Sequence, residues 1–183
     1  MTVTLRVAAT AASGGLVLRP WLPDDADAVI EAYSDPHIAR WSSPLKTSED
    51  ALRWLERQWE GWETGKRLSF AVCAAQLDGG YGKLLCNVCL KWNEDGREVG
   101  EVGYWTMAHA RGRGVAPRAL EALSAWAFDA FAGDGLRRLE LLHQVDNLAS
   151  CRVAEKTGYH LDRILPAYPP YPRDGHVHVR EAG

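Results

Sequence analysis

The chain has 183 residues, 46% of them hydrophobic and 25% charged, which suits one domain with a hydrophobic core. Its net charge of −3 lacks the basic excess of a nucleic-acid binder. No apolar run approaches the ~20 residues that span a bilayer, so a membrane role is not expected.

Residues 1–15 are rich in Ala, Thr and Ser without a strong apolar run, and read as a mobile tail rather than a signal peptide; a cytoplasmic location is expected. Residues 16–21 read as a first strand. Pro23 and Asp24 open a helix to about Tyr33. Thr47-Ser48-Glu49-Asp50 caps a second helix that Gly65 stops, with Leu52, Leu55, Trp59 and Trp62 at helical spacing. Strands follow near 68–75, 81–92 and 98–107, with turns at Asp78-Gly79-Gly80 and Asn93-Glu94-Asp95-Gly96. A helix covers 114–131 and breaks at Gly133-Asp134-Gly135. Then come a strand at 136–143, a helix at 149–156, a strand at 159–164, a Pro/Tyr loop at 168–172 and a strand at 176–180. Antiparallel hairpins before a strand-helix-strand crossover give an α/β fold. It is a mixed, mostly antiparallel sheet of about seven strands with about four helices on its faces. No repeat or linker divides residues 16–183, read as a single domain.

Cys86 and Cys89 form a C-x-x-C, but strand residues three apart face opposite ways, so they read as buried, reduced cysteines. His176 and His178 share a strand face. With no third ligand at suitable spacing they read as a solvated edge, and no metal is expected.

The most informative stretch is the loop Arg111-Gly112-Arg113-Gly114-Val115-Ala116 between a strand and a helix. N–H groups at a helix N-terminus lack internal partners and sit at the positive end of the dipole. Glycines let an anion approach that backbone, a recipe for binding phosphate, to which Arg113 and Arg118 add charge. G-x-x-x-x-G-K-[ST] is absent, and a G-x-G-x-x-G starting at Gly112 would need a glycine where Pro117 stands.

The same stretch matches [QR]-x-x-G-x-[GA], the signature of GNAT acetyltransferases. Glu101-Val102-Gly103-Tyr104-Trp105 resembles the fourth strand of that family's Rim-type branch, which acetylates ribosomal-protein N-termini. Asn147, Ser150, Val153, Glu155-Lys156, Gly158 and Tyr159 resemble its second motif, and Leu18-Arg19-Pro20 and residues 35–41 are also similar. The resemblance runs over about residues 16–164 and implies the GNAT fold, with acetyl-CoA as acyl donor and an amine as acceptor.

It further implies that backbone groups at Trp105, Thr106 and Met107 hold the pantetheine arm, that residues 111–116 hold the pyrophosphate, and that Asn147 bonds the cofactor. Many GNAT proteins carry a Tyr acid seven residues after this Asn, where this chain has Ala154. That leaves Ser150 as the candidate acid, against a reading as a helix cap. Glu101, sharing a face with Gly103 and Trp105, is the candidate base; Glu98, His109 and His143 are fallbacks. Trp41, Trp54, Tyr168 and Tyr171 are candidates for gripping the acceptor, a protein N-terminus or a small amine. Another acyl-CoA such as succinyl-CoA, or a non-catalytic acyl-CoA sensor, are the alternatives. A monomer or homodimer is expected.

Overall fold

The computed structural model describes residues 3–40, 45–92 and 96–183. The expected turn residues Asn93, Glu94 and Asp95, and Trp41, lie outside them. The strands are β1 (Leu5–Val7), β2 (Leu16–Pro20), β3 (Arg67–Ala75), β4 (Tyr81–Trp92), β5 (Val99–Thr106), β6 (Arg138–Gln144), β7 (His160–Leu165) and β8 (Gly175–Glu181). The helices are α1 (Ala26–Tyr33), α2 (Pro36–Ala39), α3 (Ser48–Thr64), α4 (Val115–Ala130) and α5 (Leu148–Lys156). One mixed sheet runs in the order β1-β2-β3-β4-β5-β6-β8-β7, antiparallel except where β5 meets β6. Among the described residues, no helix is long and apolar enough to cross a membrane.

Local chemistry sets the element ends. Thr47 Oγ1 accepts the Asp50 N–H at 3.1 Å in a capping box, and Gly65 ends α3 at φ 66°. Asp35 caps α2 through the His37 N–H at 2.9 Å. Two elements depart from the sequence reading. Residues 5–7, within the expected mobile tail, pair with β2 (Arg6↔Val17). Three strand residues in an Ala/Thr/Ser-rich stretch carry too short a pattern to read, and it is pairing with β2 that defines them. The single-turn α2 is likewise too short for a periodic signal.

Alternation along β5 divides the helices between two faces. Trp105 packs with Trp21 (5.9 Å between ring centroids) and Tyr33 (6.1 Å), and both meet Trp54 of α3. Behind this box Asn87 Oδ1 accepts from Trp21 Nε1 at 3.2 Å and Ser69 Oγ at 2.8 Å. Tyr104 points the other way, towards α5. Phe70, on the same face as Tyr104, meets Trp126 of α4 at 5.4 Å. The buried pair of Arg19 and Asp25 clamps β2 to the start of α1 through two bonds of 2.7 and 2.8 Å. Asp25 also accepts the Leu22 N–H at 2.8 Å.

Gly61 lies where α3 crosses β3. A Cβ there would sit 2.5 Å from the Arg67 carbonyl oxygen and 3.0 Å from Arg67 Cβ. In an exposed helix, Gly to Ala gains about 1 kcal/mol. Here overpacking against backbone opposes that gain by about 1–3 kcal/mol. Gly61→Ala should therefore lower the denaturation midpoint in urea; a rise would show that α3 can withdraw freely from β3.

Candidate active site: a splayed strand pair and an open helix N-terminus

Pairing between β5 and β6 runs from Val99↔Arg138 to Val102↔Leu141 and stops, although β5 continues to Thr106 and β6 to Gln144. β5 stays with β4 to Cys86↔Thr106, and β6 stays with β8 to Gln144↔Gly175, so the two halves diverge. In an antiparallel pair, successive residues turn their backbone groups to alternate sides. Met107 N–H bonds the Leu85 carbonyl of β4 at 2.9 Å, which directs Trp105 and Gly103 to β4 as well. Glu98 O, of the other parity, accepts from the Arg137 and Arg138 N–H groups at 3.0 and 3.2 Å. The backbone groups of Tyr104 and Thr106 therefore face the gap, where no strand meets them.

This sorts the three residues expected to present backbone groups. Thr106 faces the gap. Trp105 and Met107 do not: Trp105 is laddered to Asn87 of β4, and Met107 spends its N–H on Leu85 and its carbonyl on the Ala110 N–H at 2.9 Å. Tyr104 is the other residue whose backbone groups face the gap, a direction that strand parity supplies once one ladder bond is known.

Past Met107 a short 3-10 turn at Ala108–Ala110 leads into the glycine loop. Gly112 and Gly114 adopt φ of 72° and 71°, and a Cβ at either would meet nothing within 4 Å. Side chains avoid this left-handed region, so glycine is required by conformation, and the open space leaves the backbone accessible. Gly114 caps α4 without a side-chain hydrogen bond. Among the described residues, no protein acceptor takes the N–H groups of Gly112, Arg113, Gly114, Val115 or Ala116. Val115 and Ala116 are buried and anchor this turn against the core. Such a row of free donors at a helix N-terminus fits a pyrophosphate.

The three arginines divide the work. Arg113 is exposed and has no ion pair among the described residues, so its charge is available. Arg111 pairs with Asp35, tying the loop to the α1–α2 junction. Arg118 was expected to add phosphate charge, but its guanidinium donates to the Gly14 and Ala8 carbonyls at 2.8 and 2.7 Å. It therefore fastens the N-terminal segment beside the loop, where Ser13 Oγ also bonds the Arg113 carbonyl at 3.4 Å. Its carbonyl partners lie about a hundred residues away, out of reach of spacing arguments.

At the far end of the gap, α5 begins. Asn147 Oδ1 accepts the Ser150 N–H at 3.2 Å, so the cap is Asn147 and not Ser150. The Asn147 amide donors have no protein partner among the described residues and remain available to a ligand. Ser150 Oγ accepts from Tyr104 OH at 2.9 Å; the serine is buried and the tyrosine half-buried. Burial pushes the Tyr104 phenol up to about 12, against the opposing hydrogen bond to Ser150. The phenol therefore donates without ionising and leaves the serine's own hydrogen free to turn elsewhere.

Glu101 lies on the opposite face of β5, its carboxylate 2.7 Å from Lys91 Nζ and its ladder partner Glu140 beside it. Of the fallback bases, Glu98 is exposed and paired to Arg137 at 2.6 Å, and His109 is exposed. His143 sits among other histidines on β6 and β8. Among the aromatic acceptor candidates, Trp54 is 7% exposed and belongs to the core. Tyr168 and Tyr171 are exposed, their rings 5.4 Å apart on the β7–β8 loop, where they line an open cavity of ≈ 390 Å³ with Pro169 and Pro170. Asp146, paired at 3.0 Å with both Arg40 and Arg173, draws α2, this loop and the start of α5 together.

Residues 15–160 match the acetyltransferase (GNAT) domain family. The chain belongs to this family. No curated protein sequence matches it. Among solved structures, it is similar to RimJ of Mycobacterium smegmatis in complex with CoA-disulfide, at 22% identity and a TM-score of 0.78 over 99% of this chain and 87% of that one. It is also similar to a GNAT acetyltransferase of Bacillus anthracis (19% identity, TM-score 0.77, 99% and 98% covered). A third similar structure is the Salmonella typhimurium acetyl transferase that modifies the N-terminal serine of a 50S ribosomal subunit protein (17%, 0.76, 97% and 99%). The GNAT fold expected from the sequence is thus the fold observed, with one more strand and one more helix than counted there.

The Tyr104 environment predicts a pH dependence. Its folded pKa of about 12 exceeds the ordinary tyrosine value of 10.0, so its contribution to stability is complete below pH 10 and is lost as pH rises towards 12. Tyr104→Phe should flatten the fall in denaturation free energy across that interval. An unchanged slope would mean the phenol is not held in its neutral form. Buried Tyr159, also near 12, keeps part of the slope in either case.

Proposed function

We propose that the protein transfers the acetyl group of acetyl-CoA to the α-amino group of a protein or peptide, by direct attack in a ternary complex. The observation that carries the reading is continuity. Free backbone groups run from Gly112–Ala116 donors to Tyr104 and Thr106 in the gap, and end at the Tyr104–Ser150 hydroxyl pair.

Acetyl-CoA brings an activated thioester. The N–H groups of residues 112–116 and the Arg113 guanidinium hold its pyrophosphate, Tyr104 and Thr106 meet the pantetheine amides, and Asn147 donates to the cofactor from its free amide. Ser150 stands as proton donor to the departing thiolate. Tyr104, donating to Ser150 Oγ, polarises that hydroxyl and aims it. Glu101, ion-paired with Lys91, receives the amine proton through water. The two groups lie on opposite faces of β5 at the mouth of the gap. The amine adds to the thioester carbonyl and the thiolate leaves as the tetrahedral intermediate collapses, so the amine proton and the thiolate's proton are handled by separate groups.

The α-amine preference rests on proton chemistry. An α-amine has a pKa of ~7.7–8.0 against ~10.4 for lysine, so far more of it is neutral at neutral pH. Lysine would need a stronger base than one ion-paired carboxylate. The N-terminal-serine substrate of the Salmonella neighbour is of the same class.

Ser150→Ala should lower kcat by ~10²–10⁴-fold with little change in acetyl-CoA affinity. Near-normal turnover would remove Ser150 from the chemistry. Glu101→Gln should lower kcat most at low pH, where the amine is most protonated; a uniform loss across pH would argue for a structural role. To locate the acceptor, matched peptides with the N-terminus or the lysine blocked are incubated with acetyl-CoA and mapped by mass spectrometry. Acetylation of the free N-terminus is expected. Modification confined to lysine would overturn the assignment, and activity on small amines alone would move the enzyme to metabolite modification.

A further inference from the structure

Beneath α5, on the side of the helix away from the glycine loop, four side chains with metal-binding atoms converge. His176 and His178 share one face of β8, His143 of β6 stands opposite His176 in the register, and Cys151 comes from α5. One nitrogen or sulfur atom from each lies within 4.8 Å of all the others. Cys151 Sγ is already 3.5 Å from His176 Nδ1, and the His143 and His178 rings stack with centroids 5.0 Å apart. The sequence reading of His176 and His178 as a solvated pair does not hold, because His178 is 4% exposed and the missing ligands come from other elements.

Three ring nitrogens of this pocket have no hydrogen-bond partner among the described residues. Neither ring nitrogen of His178 has a hydrogen bond of acceptable geometry. His143 Nδ1 lies 2.9 Å from the Gln144 carbonyl, which fixes that nitrogen as the donor and puts the lone pair on Nε2. That Nε2 is buried and has no partner. Buried polar atoms are nearly always satisfied, and an orphan cluster calls for an explanation such as an ion. The carbonyl-anchored imidazole is also the usual way a ligating histidine is oriented.

We propose that His143, Cys151, His176 and His178 form a four-coordinate zinc site. Three imidazoles and a thiolate are the donor set of zinc, while magnesium and calcium take oxygen. From zinc–ligand bonds of ~2.0–2.3 Å, tetrahedral ligands lie about 3.3–3.8 Å apart. With one sulfur and three nitrogens the upper end of that range is about 3.6 Å, so a pair 4.8 Å apart must close by about 1.2–1.5 Å, within reach of side-chain rotation. On binding, Cys151 gives its thiol proton to solvent and the thiolate and three neutral imidazoles fill the coordination sphere. The ion would tie α5 to β6 and β8, and because Cys151 follows Ser150, it would hold the turn that carries the proposed acid.

The test uses the untagged full-length protein, stripped with a chelator and dialysed against zinc or cobalt(II). One ion per chain is expected. The cobalt form should show a thiolate-to-metal charge-transfer band and the visible spectrum of four-coordinate cobalt. Cys151→Ser should abolish the charge-transfer band. His176→Ala should weaken zinc binding tenfold or more. Both positions are only partly buried, so these variants are preferred to His178→Ala, and circular dichroism verifies that each is folded. Failure of the folded wild type to retain stoichiometric metal would overturn the proposal. So would a cobalt spectrum without a thiolate band, or binding unchanged in both folded variants.

Discussion

Everything proposed for this protein depends on one departure from regular pairing. Among the described residues β5 and β6 are the only parallel neighbours in the sheet, and they hold together only as far as Val102 and Leu141. Each then follows its antiparallel partner, β4 or β8. A sheet that parts in its middle exposes backbone donors and acceptors that would otherwise be laddered, and such groups are costly to leave unmet unless water or a ligand meets them. The gap is thus a ready-made backbone-binding slot. The crossover helix α4 joining these two strands places its N-terminus, with a second set of free donors, at one end of the slot.

The other end is organised by α5. Its first turn carries three neighbouring functions. Asn147 caps the helix and keeps its amide free, Ser150 receives the Tyr104 hydroxyl, and Cys151 turns under the helix towards the histidines. The register of this turn is therefore fixed from both sides. Glu101 is held separately by Lys91 on the other face of β5. The aromatic box of Trp21, Tyr33, Trp54 and Trp105 keeps α1 and α3 seated there, which explains why Trp54 packs and does not reach for an acceptor.

What could be read from the sequence was local. The cap of α3, the glycines that lead into α4 and the hydrophobic rhythm of α3 and α4 are written in adjacent residues, and they are legible there. Order along the chain also sufficed for the fold class. What escaped depends on contacts across the chain. Arg118 looked like a phosphate ligand until its guanidinium met the Ala8 and Gly14 carbonyls. Strand β1 is visible only through its pairing with β2. The backbone groups of Trp105 and Met107 turn to β4 and not to the gap, because direction alternates along a strand and spacing alone does not fix the parity. His143 and Cys151 join His176 and His178 only after β6, α5 and β8 assemble.

The central claim is that acetyl-CoA lies along the backbone of the gap and the glycine loop. Amide hydrogen exchange followed by mass spectrometry, with and without acetyl-CoA, tests it most directly, since it reads the donors themselves. Binding should slow exchange in the peptides that contain Tyr104 and Thr106 and in those covering residues 112–116, while the β1–β2 hairpin changes little. Protection confined to other segments, or absent at saturating acetyl-CoA, would contradict the account.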